Sequence, residues 1–132
     1  PTGVMFAPVI PALNDHELEH VLEAAAQVGC HFGGYVVLRL PREVNPLFKD
    51  WLASHYPLRA DHVLNRIRDI RGGDESDTQF GSRLKGQGVF AKLLKRRFEN
   101  KCRELGLNRS RHELNCEDFR KPSANKDQLE LF

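Results

Sequence analysis

Two stretches decide the fold class: Val4–Ile10 (Val-Met-Phe-Ala-Pro-Val-Ile) and Tyr35–Leu40 (Tyr-Val-Val-Leu-Arg-Leu). In both, apolar side chains stand at consecutive positions, which is typical of strands that are buried on both faces of a parallel sheet. Pro8 has no N–H to donate, so it predicts an end, a bulge or an edge position in the first strand. Pro41 ends the second strand.

A helix is predicted between these strands. Asn14 and Glu17 have the spacing of a capping box at its start, and Gly29 fits its end. Five apolar residues recur at helical spacing and form its predicted buried stripe: Leu18, Val21, Leu22, Ala25 and Val28. Strand, helix and strand then make a parallel βαβ unit.

The rest of the chain is predicted to be mainly helical. Asn45-Pro46 starts a helix that ends at Pro57, and a further helix covers roughly 58–71. A Gly-rich polar loop, 72–88, leads into a basic helix over about 89–105 that Gly106 closes. The predicted inward faces are Leu47, Phe48, Trp51, Leu52 and His55 in the first of these helices, and Phe90, Leu93, Leu94, Phe98 and Cys102 in the basic one.

The small net charge of +2 hides an uneven distribution. Residues 1–57 carry a net −3, whereas residues 78–112 carry +8. A basic stretch of that density favours nucleic acid, and we take six of its residues as candidate phosphate contacts: Arg83, Lys85, Lys92, Lys95, Arg96 and Arg97. The alternative is a solvated helix face that meets acidic neighbours.

Composition excludes several classes of protein. Three scattered cysteines, Cys30, Cys102 and Cys116, make no disulfide framework, and no apolar run reaches the roughly 18 residues of a membrane span. Cys102, His112 and Cys116 match no compact zinc spacing, so no metal site is predicted. We therefore expect a cytoplasmic, nucleoid-associated protein that does not enter the membrane.

Two doubly apolar strands cannot cover their own faces, so we expect the chain to be the C-terminal portion of a longer protein. Three segments, Ala7–Pro11 with Asn14-Asp15, Leu22–Ala26 and Gly34–Pro41, resemble the last βα units of radical S-adenosylmethionine proteins of the spore-photoproduct-lyase-like (DNA repair photolyase-like) group. The later Arg71–Gly73, Phe80–Arg83, Phe98 and Cys102–Leu107 resemble the C-terminal extension of one subgroup.

The resemblance implies an α/β fold: the closing βαβ units of a partial (β/α) barrel over 1–57, a basic helical extension over 58–119 and a flexible tail over 120–132. It implies a lyase-like parent enzyme that uses S-adenosylmethionine and a [4Fe–4S] cluster. The family's Cys-x3-Cys-x2-Cys motif is absent here, so this chain alone should bind neither and should not be catalytically competent. Catalytic residues are not predicted.

The resemblance places five residues near the cofactor of the parent, at the carboxyl ends of the strands: Val9, Ile10, Leu38, Leu40 and Pro41. The alternative is that these are only core and strand-end residues.

The C-terminal pentapeptide Gln-Leu-Glu-Leu-Phe resembles the peptide by which bacterial replication and repair proteins bind the DNA sliding clamp. Gln128, Leu129, Leu131 and Phe132 are its candidate contacts, because apolar anchors on a polar tail can be buried by a groove on a partner. The alternative is a terminal segment that folds back on the domain.

Two functions follow as expectations. The first is the C-terminal part of a radical S-adenosylmethionine enzyme, associated with DNA through the clamp. The second is a non-catalytic basic adaptor that binds nucleic acid and the clamp. In either case an open sheet edge predicts self-association.

Overall fold

A computed structural model describes residues 1–75, 84–110 and 115–120. Its strands are β1 (Gly3–Val9) and β2 (Phe32–Val37), and its helices are α1 (Leu18–Gln27), α2 (Val44–His55), α3 (Ala60–Ile70) and α4 (Gly88–Leu105). Within the described residues the chain is thus a mixed α/β protein with four helices and a two-stranded sheet. This confirms the α/β class, whereas the partial barrel and the domain boundaries stay predictions.

The sheet has the predicted parallel βαβ topology. Its register pairs Phe6 with Tyr35 and Val9 with Val37, so β1 advances three residues where β2 advances two. The extra residue lies at Ala7-Pro8, where the missing Pro8 N–H breaks the ladder. The predicted interruption of the first strand is confirmed.

Only one face of the sheet is buried by the described residues. The face of Val4, Phe6, Tyr35 and Val37 belongs to a core cluster with Leu18 and Leu22 of α1 and Leu94 and Cys102 of α4. On the other face Gly3 and Ala7 are exposed and Met5 is 62% exposed. In the described chain the second face of β1 is therefore exposed, because α1 and α4 both lie on the same side; burial of that face by further strands stays a prediction.

The side chain of Leu22 on α1 packs over Gly33 of β2. A Cβ on Gly33 would stand 2.9 Å from Leu22 Cδ2, so a larger residue there would displace the end of that side chain. The strand therefore begins at Phe32, three residues before the predicted Tyr35, because pairing with Val4 and Met5 holds Gly33 and Gly34 in the sheet despite their low strand propensity.

Beyond Val37 the chain leaves the sheet. The Leu38 N–H donates to the Val9 carbonyl at 2.9 Å, and Leu40 then enters a second core cluster with Leu52 of α2 and Val63 and Ile67 of α3. Leu38–Leu40 is therefore a connection rather than strand, which corrects the predicted end of β2.

Neither predicted asparagine caps its helix. Asn14 Oδ1 accepts from the Ile10 N–H at 2.6 Å and its Nδ2 donates to the Pro8 carbonyl at 3.0 Å, so this side chain holds the turn after β1. A 3₁₀ turn over Asp15–Glu17 precedes α1. Asn45 lies inside α2, which begins at Val44. Side chains that can cap a helix also satisfy turns, and here that competing role wins.

The helical ranges over 58–71 and 89–105 are confirmed by α3 and α4, and Gly106 ends α4 with φ +73°. Five stripe assignments are wrong. Val28, Leu47 and Leu93 are 81%, 68% and 53% exposed, and Trp51 and His55 are exposed as well, because α2 buries the side that carries Phe48 and Leu52.

Candidate functional site

The carboxyl ends of β1 and β2 meet at one edge of the sheet, as parallel strands require. Val9 and Leu40 are completely buried there, Ile10 and Leu38 are half-buried, and Pro41 is exposed. The structure therefore brings the five predicted cofactor-proximal residues to one edge. Val9 and Leu40 serve the core in the described chain, which leaves Pro41 as the most accessible of the set.

An open groove of about 840 Å³, the strand-end groove, runs along this edge. It is lined by Arg39, Pro41, Arg42, Glu43, Asn45, Arg68, Gly73, Asp74 and Glu75. Arg39 and Arg42 are exposed and make no ion pair within the described residues. Their charges make one rim of the groove suitable for an anionic group.

Glu75 ties the helices around the strand-end groove together. One carboxylate oxygen accepts from Lys49 Nζ at 2.7 Å and from Asn45 Nδ2 at 2.6 Å, and the other accepts from Arg68 Nη2 at 2.7 Å. The hydrogen bond from Lys49, with those from Asn45 and Arg68, lowers the pKa of Glu75 to about 2. Sequence reasoning missed Glu75, because its partners are spread over α2 and α3.

Arg71, only 4% exposed, lies behind the same edge. Its Nη2 donates to the carbonyl oxygens of Val37 and Leu38, at 3.3 and 2.5 Å. This guanidinium joins the end of α3 to the end of β2. In the sequence the residue is visible only as an arginine directly before two glycines, which does not indicate its burial.

Two cations in the C-terminal half of the basic helix, Arg97 and Lys101, are paired with carboxylates within the chain. Arg97 Nε and Nη2 donate to the two Glu19 oxygens at 2.7 and 2.6 Å, and Arg97 Nη1 donates to Asp15 Oδ2 at 3.3 Å. Lys101 Nζ lies 2.5 Å from Glu23 Oε1 and 2.8 Å from Glu104 Oε1. We call Arg97 and Lys101 the paired cations. Their contacts are those of the alternative in which the basic helix face meets acidic neighbours.

Three basic residues, one just before α4 and two in its N-terminal half, are not neutralised in this way. Lys85, Lys92 and Arg96 are exposed and make no ion pair among the described residues; we call them the open cations. Lys95 lies 3.6 Å from Glu99, with both side chains more than half exposed, which is a weak pair. Arg83, the sixth candidate, lies outside the described residues.

Two open cations border a second groove, the α4 groove, of about 340 Å³. Its lining is Tyr35, Lys85, Gly86, Gln87, Gly88, Ala91, Lys92 and Lys95. Gly86 (φ +74°) and Gly88 (φ +79°) let the chain pass close to α3, where added Cβ atoms would stand 3.2 Å from the Ile70 carbonyl oxygen and 3.3 Å from that of Asp69. This approach sets the start of α4 beside β2.

Tyr35 brings a polar group to the α4 groove that sequence reasoning assigned only to a strand. The residue is 8% exposed, and its ring packs on Phe98 with centroids 4.9 Å apart. Its hydroxyl has no hydrogen-bond partner among the described residues. Burial and the nearby Glu99 carboxylate raise the pKa of this phenol, so the hydroxyl keeps its proton at neutral pH and can donate a hydrogen bond.

The three cysteines do not converge. Cys102 is buried in the first core cluster, Cys30 is half-buried and Cys116 is exposed. Burial raises the pKa of the Cys102 thiol. Within 1–75, 84–110 and 115–120 no three His, Cys, Asp or Glu side chains group as metal ligands, and His112 falls outside these ranges.

Some predictions concern other parts of the chain. The clamp-binding residues Gln128, Leu129, Leu131 and Phe132 lie outside the described residues, so clamp binding stays a prediction. Among the helices that the structure describes, none has both the length and the apolar character needed to cross a bilayer.

Comparison with protein-family models, with curated proteins and with solved structures finds no match for this chain.

Proposed function

We propose that this chain is the nucleic-acid-associated C-terminal part of an α/β enzyme of the radical S-adenosylmethionine type, in which the start of α4 contacts the phosphate backbone. The observation that carries the nucleic-acid assignment is the division of the basic helix. Arg97 and Lys101 are held by carboxylates of α1, whereas Lys85, Lys92 and Arg96 have no such partner in the described chain.

Cations without carboxylate partners are the ones that gain most from phosphates. A lysine held in an ion pair would have to give up that pair to bind DNA, whereas an open cation only releases condensed counterions from the nucleic acid. Contacts of this kind fix position and not base sequence. The proposal therefore predicts binding that depends strongly on salt and little on sequence.

The test is fluorescence anisotropy of a labelled DNA duplex of about 20 base pairs, titrated with the chain at increasing salt. We expect the logarithm of the binding constant to fall linearly with the logarithm of salt concentration. Lys92→Gln should lower the magnitude of that slope by about 0.9, because one phosphate contact is lost.

Arg103→Gln is the matched control. Arg103 lies on the same helix and is exposed, its Nη1 donates to Asn100 Oδ1 at 3.1 Å, and it does not line the α4 groove. Its replacement removes the same charge from the other end of α4 and should leave the slope within error. Equal effects of the two substitutions, or affinity that ignores salt, would refute the assignment of phosphate contacts to the start of α4.

The enzymatic part of the proposal is supported by the exposed face of the sheet. In a (β/α) barrel the helices cover the outer face of each strand and the inner face points to the barrel interior. Here α1 and α4 cover one face, while Met5 on the other is 62% exposed. Further strands would bury that second face.

The residues present cannot hold the iron–sulfur cluster, since no two cysteines have the required spacing. The strand-end groove, with Pro41 and the Arg39 and Arg42 cations, would instead border the cofactor side of the parent. The natural reading frame upstream of Pro1 tests this. A Cys-x3-Cys-x2-Cys motif there is expected, and an upstream sequence without three such cysteines would remove the enzymatic part.

The adaptor alternative is favoured by a separate observation, the two core clusters that the described chain forms by itself. A chain that folds and binds DNA alone could act without catalysing a reaction.

Both functions share the proposed clamp contact. Deletion of residues 128–132 should abolish binding to an immobilised bacterial sliding clamp, and unchanged affinity would rule that contact out.

A further inference from the structure

The α4 groove combines three features that point to one kind of ligand. Lys85 and Lys92 supply positive charge without carboxylate partners among the described residues. No side-chain hydrogen bond caps the start of α4, whose first-turn N–H groups carry partial positive charge. Tyr35 adds a hydroxyl in a residue that is more than nine-tenths buried.

The Tyr35 hydroxyl is the independent observation. A buried hydroxyl without a partner costs free energy, and native proteins rarely keep one without a reason. Among the described residues nothing accepts its hydrogen bond. The charged side chains that line the groove are the cations Lys85, Lys92 and Lys95, and the nearby Glu99 carboxylate lies 3.6 Å from Lys95.

We propose that the α4 groove is a binding site for a single phosphodiester group of the nucleic-acid backbone, with the Tyr35 hydroxyl donating to a phosphate oxygen. Lys85 and Lys92 supply the charge and the first turn of α4 supplies backbone N–H donors. The site rests on the proposed function, because it names where that backbone is anchored. The hydroxyl oxygen is covered in the free protein, so groups at the groove surface must move for a phosphate oxygen to reach it.

The proposed site predicts that the affinity for DNA and its salt dependence respond to different substitutions, which a general basic surface does not predict. A cation contributes to the salt dependence of binding, whereas a neutral hydroxyl contributes affinity without releasing counterions. Tyr35→Phe removes only the hydroxyl and keeps the ring that packs on Phe98. We expect it to weaken binding of the DNA duplex about tenfold at every salt concentration with an unchanged salt slope.

The stability of the free protein supplies the second readout. Because the hydroxyl has no partner in the described chain, Tyr35→Phe should unfold at the same or a higher urea concentration than the unmodified chain. A clear loss of stability would mean that the hydroxyl is already satisfied in the free protein, and would overturn the site. So would unchanged affinity for the duplex.

Failure of the site and failure of the proposed function are distinguishable. If Lys92→Gln lowers the salt slope while Tyr35→Phe binds normally, nucleic-acid association stands and the phosphate pocket fails. Inorganic phosphate, exchanged for chloride at constant ionic strength, identifies the source of the phosphate. Inorganic phosphate should displace the DNA duplex from the unmodified chain, and it should displace much less of the duplex from Tyr35→Phe. Binding of phosphate that depends on Tyr35, without any duplex binding, would overturn the backbone assignment.

Discussion

The two ends of α4 use the same residue types for different purposes. Towards its C-terminus, Arg97 and Lys101 meet Glu19 and Glu23 of α1, and the charges hold two helices together. Towards its N-terminus, Lys92 and Arg96 have no carboxylate partner within the described residues, and the neighbouring groove contains a buried hydroxyl. A basic stretch of helix therefore indicates an ion-paired helix interface or a ligand-binding surface only when the residues packed opposite it are known.

The difference follows from the position of α1. Its acidic residues Glu19 and Glu23 are four apart and so share one face. Arg97 and Lys101 are also four apart, which sets the two pairs in register across the helix interface. Helix α1 does not provide a third carboxylate opposite the start of α4, where the Gly-rich approach and Tyr35 lie instead.

The largest expected effect concerns the apolar face that both ends of α4 share. Leu94 is 1% exposed and its neighbour Leu93 is 53% exposed. Leu94→Ala should lower the free energy of unfolding by about 3 kcal/mol, because it leaves a cavity in the first core cluster. Leu93→Ala should cost less than about 1 kcal/mol. Urea denaturation measures both, and equal losses would contradict the orientation of α4.

The next effect tests the paired end directly. Arg97→Gln leaves Glu19 and Asp15 without their guanidinium, and the Arg97 side chain is only 28% exposed. We expect a loss of about 2 kcal/mol in the free energy of unfolding, since a partly buried pair is broken on one side. Arg96→Gln, one position earlier and exposed, should change stability by less than about 0.5 kcal/mol. If both variants unfold together, the paired end has no structural role.

Acid should loosen the same end. The hydrogen bond from Arg97 lowers the pKa of Glu19, and that from Lys101 lowers the pKa of Glu23, from an ordinary value of 4.5. A carboxylate with a lowered folded-state pKa stabilises the fold above its unfolded pKa, and this contribution disappears as pH falls through the folded value.

Stability should therefore fall below about pH 4.5, and the fall should be shallower in Arg97→Gln. Glu75, with a pKa of about 2, extends the loss to lower pH independently of α4. Glu75→Gln should make the fall shallower over the whole range from about pH 4.5 down to about pH 2. Urea titrations at successive pH values give the profiles, and an identical profile for Arg97→Gln would argue against the assignment.

The sequence predicted the features that depend on local patterns. The parallel strand pair, the interruption at Pro8 and the ranges of α3 and α4 follow from apolar periodicity and from proline and glycine chemistry. It also identified the basic stretch and the strand-end residues. What it could not separate was the two ends of α4, because the carboxylates that pair with Arg97 and Lys101 lie 78 residues away along the chain.

Two kinds of contact explain the errors. Asn14 is an ordinary helix-start signal, but its side chain bonds the local turn after β1 instead. The Asn45 side chain bonds Glu75, and Gly33 and Gly34 are in β2 because they pair with Val4 and Met5. In these last cases a tertiary contact outweighs a local preference of about 1 kcal/mol or less.

The smallest expected effect on stability concerns the border between the two ends, the Lys95–Glu99 pair. Its side chains are 59% and 52% exposed, so its loss should change the free energy of unfolding by less than about 0.5 kcal/mol. Glu99→Gln should nevertheless strengthen duplex binding about threefold, because it frees Lys95 and removes a negative charge near Tyr35. Glu104→Gln, which removes a carboxylate from the paired end, is the matched control and should leave affinity unchanged. If the two variants gain affinity equally, net charge alone governs binding, and the two ends of α4 do not differ in function.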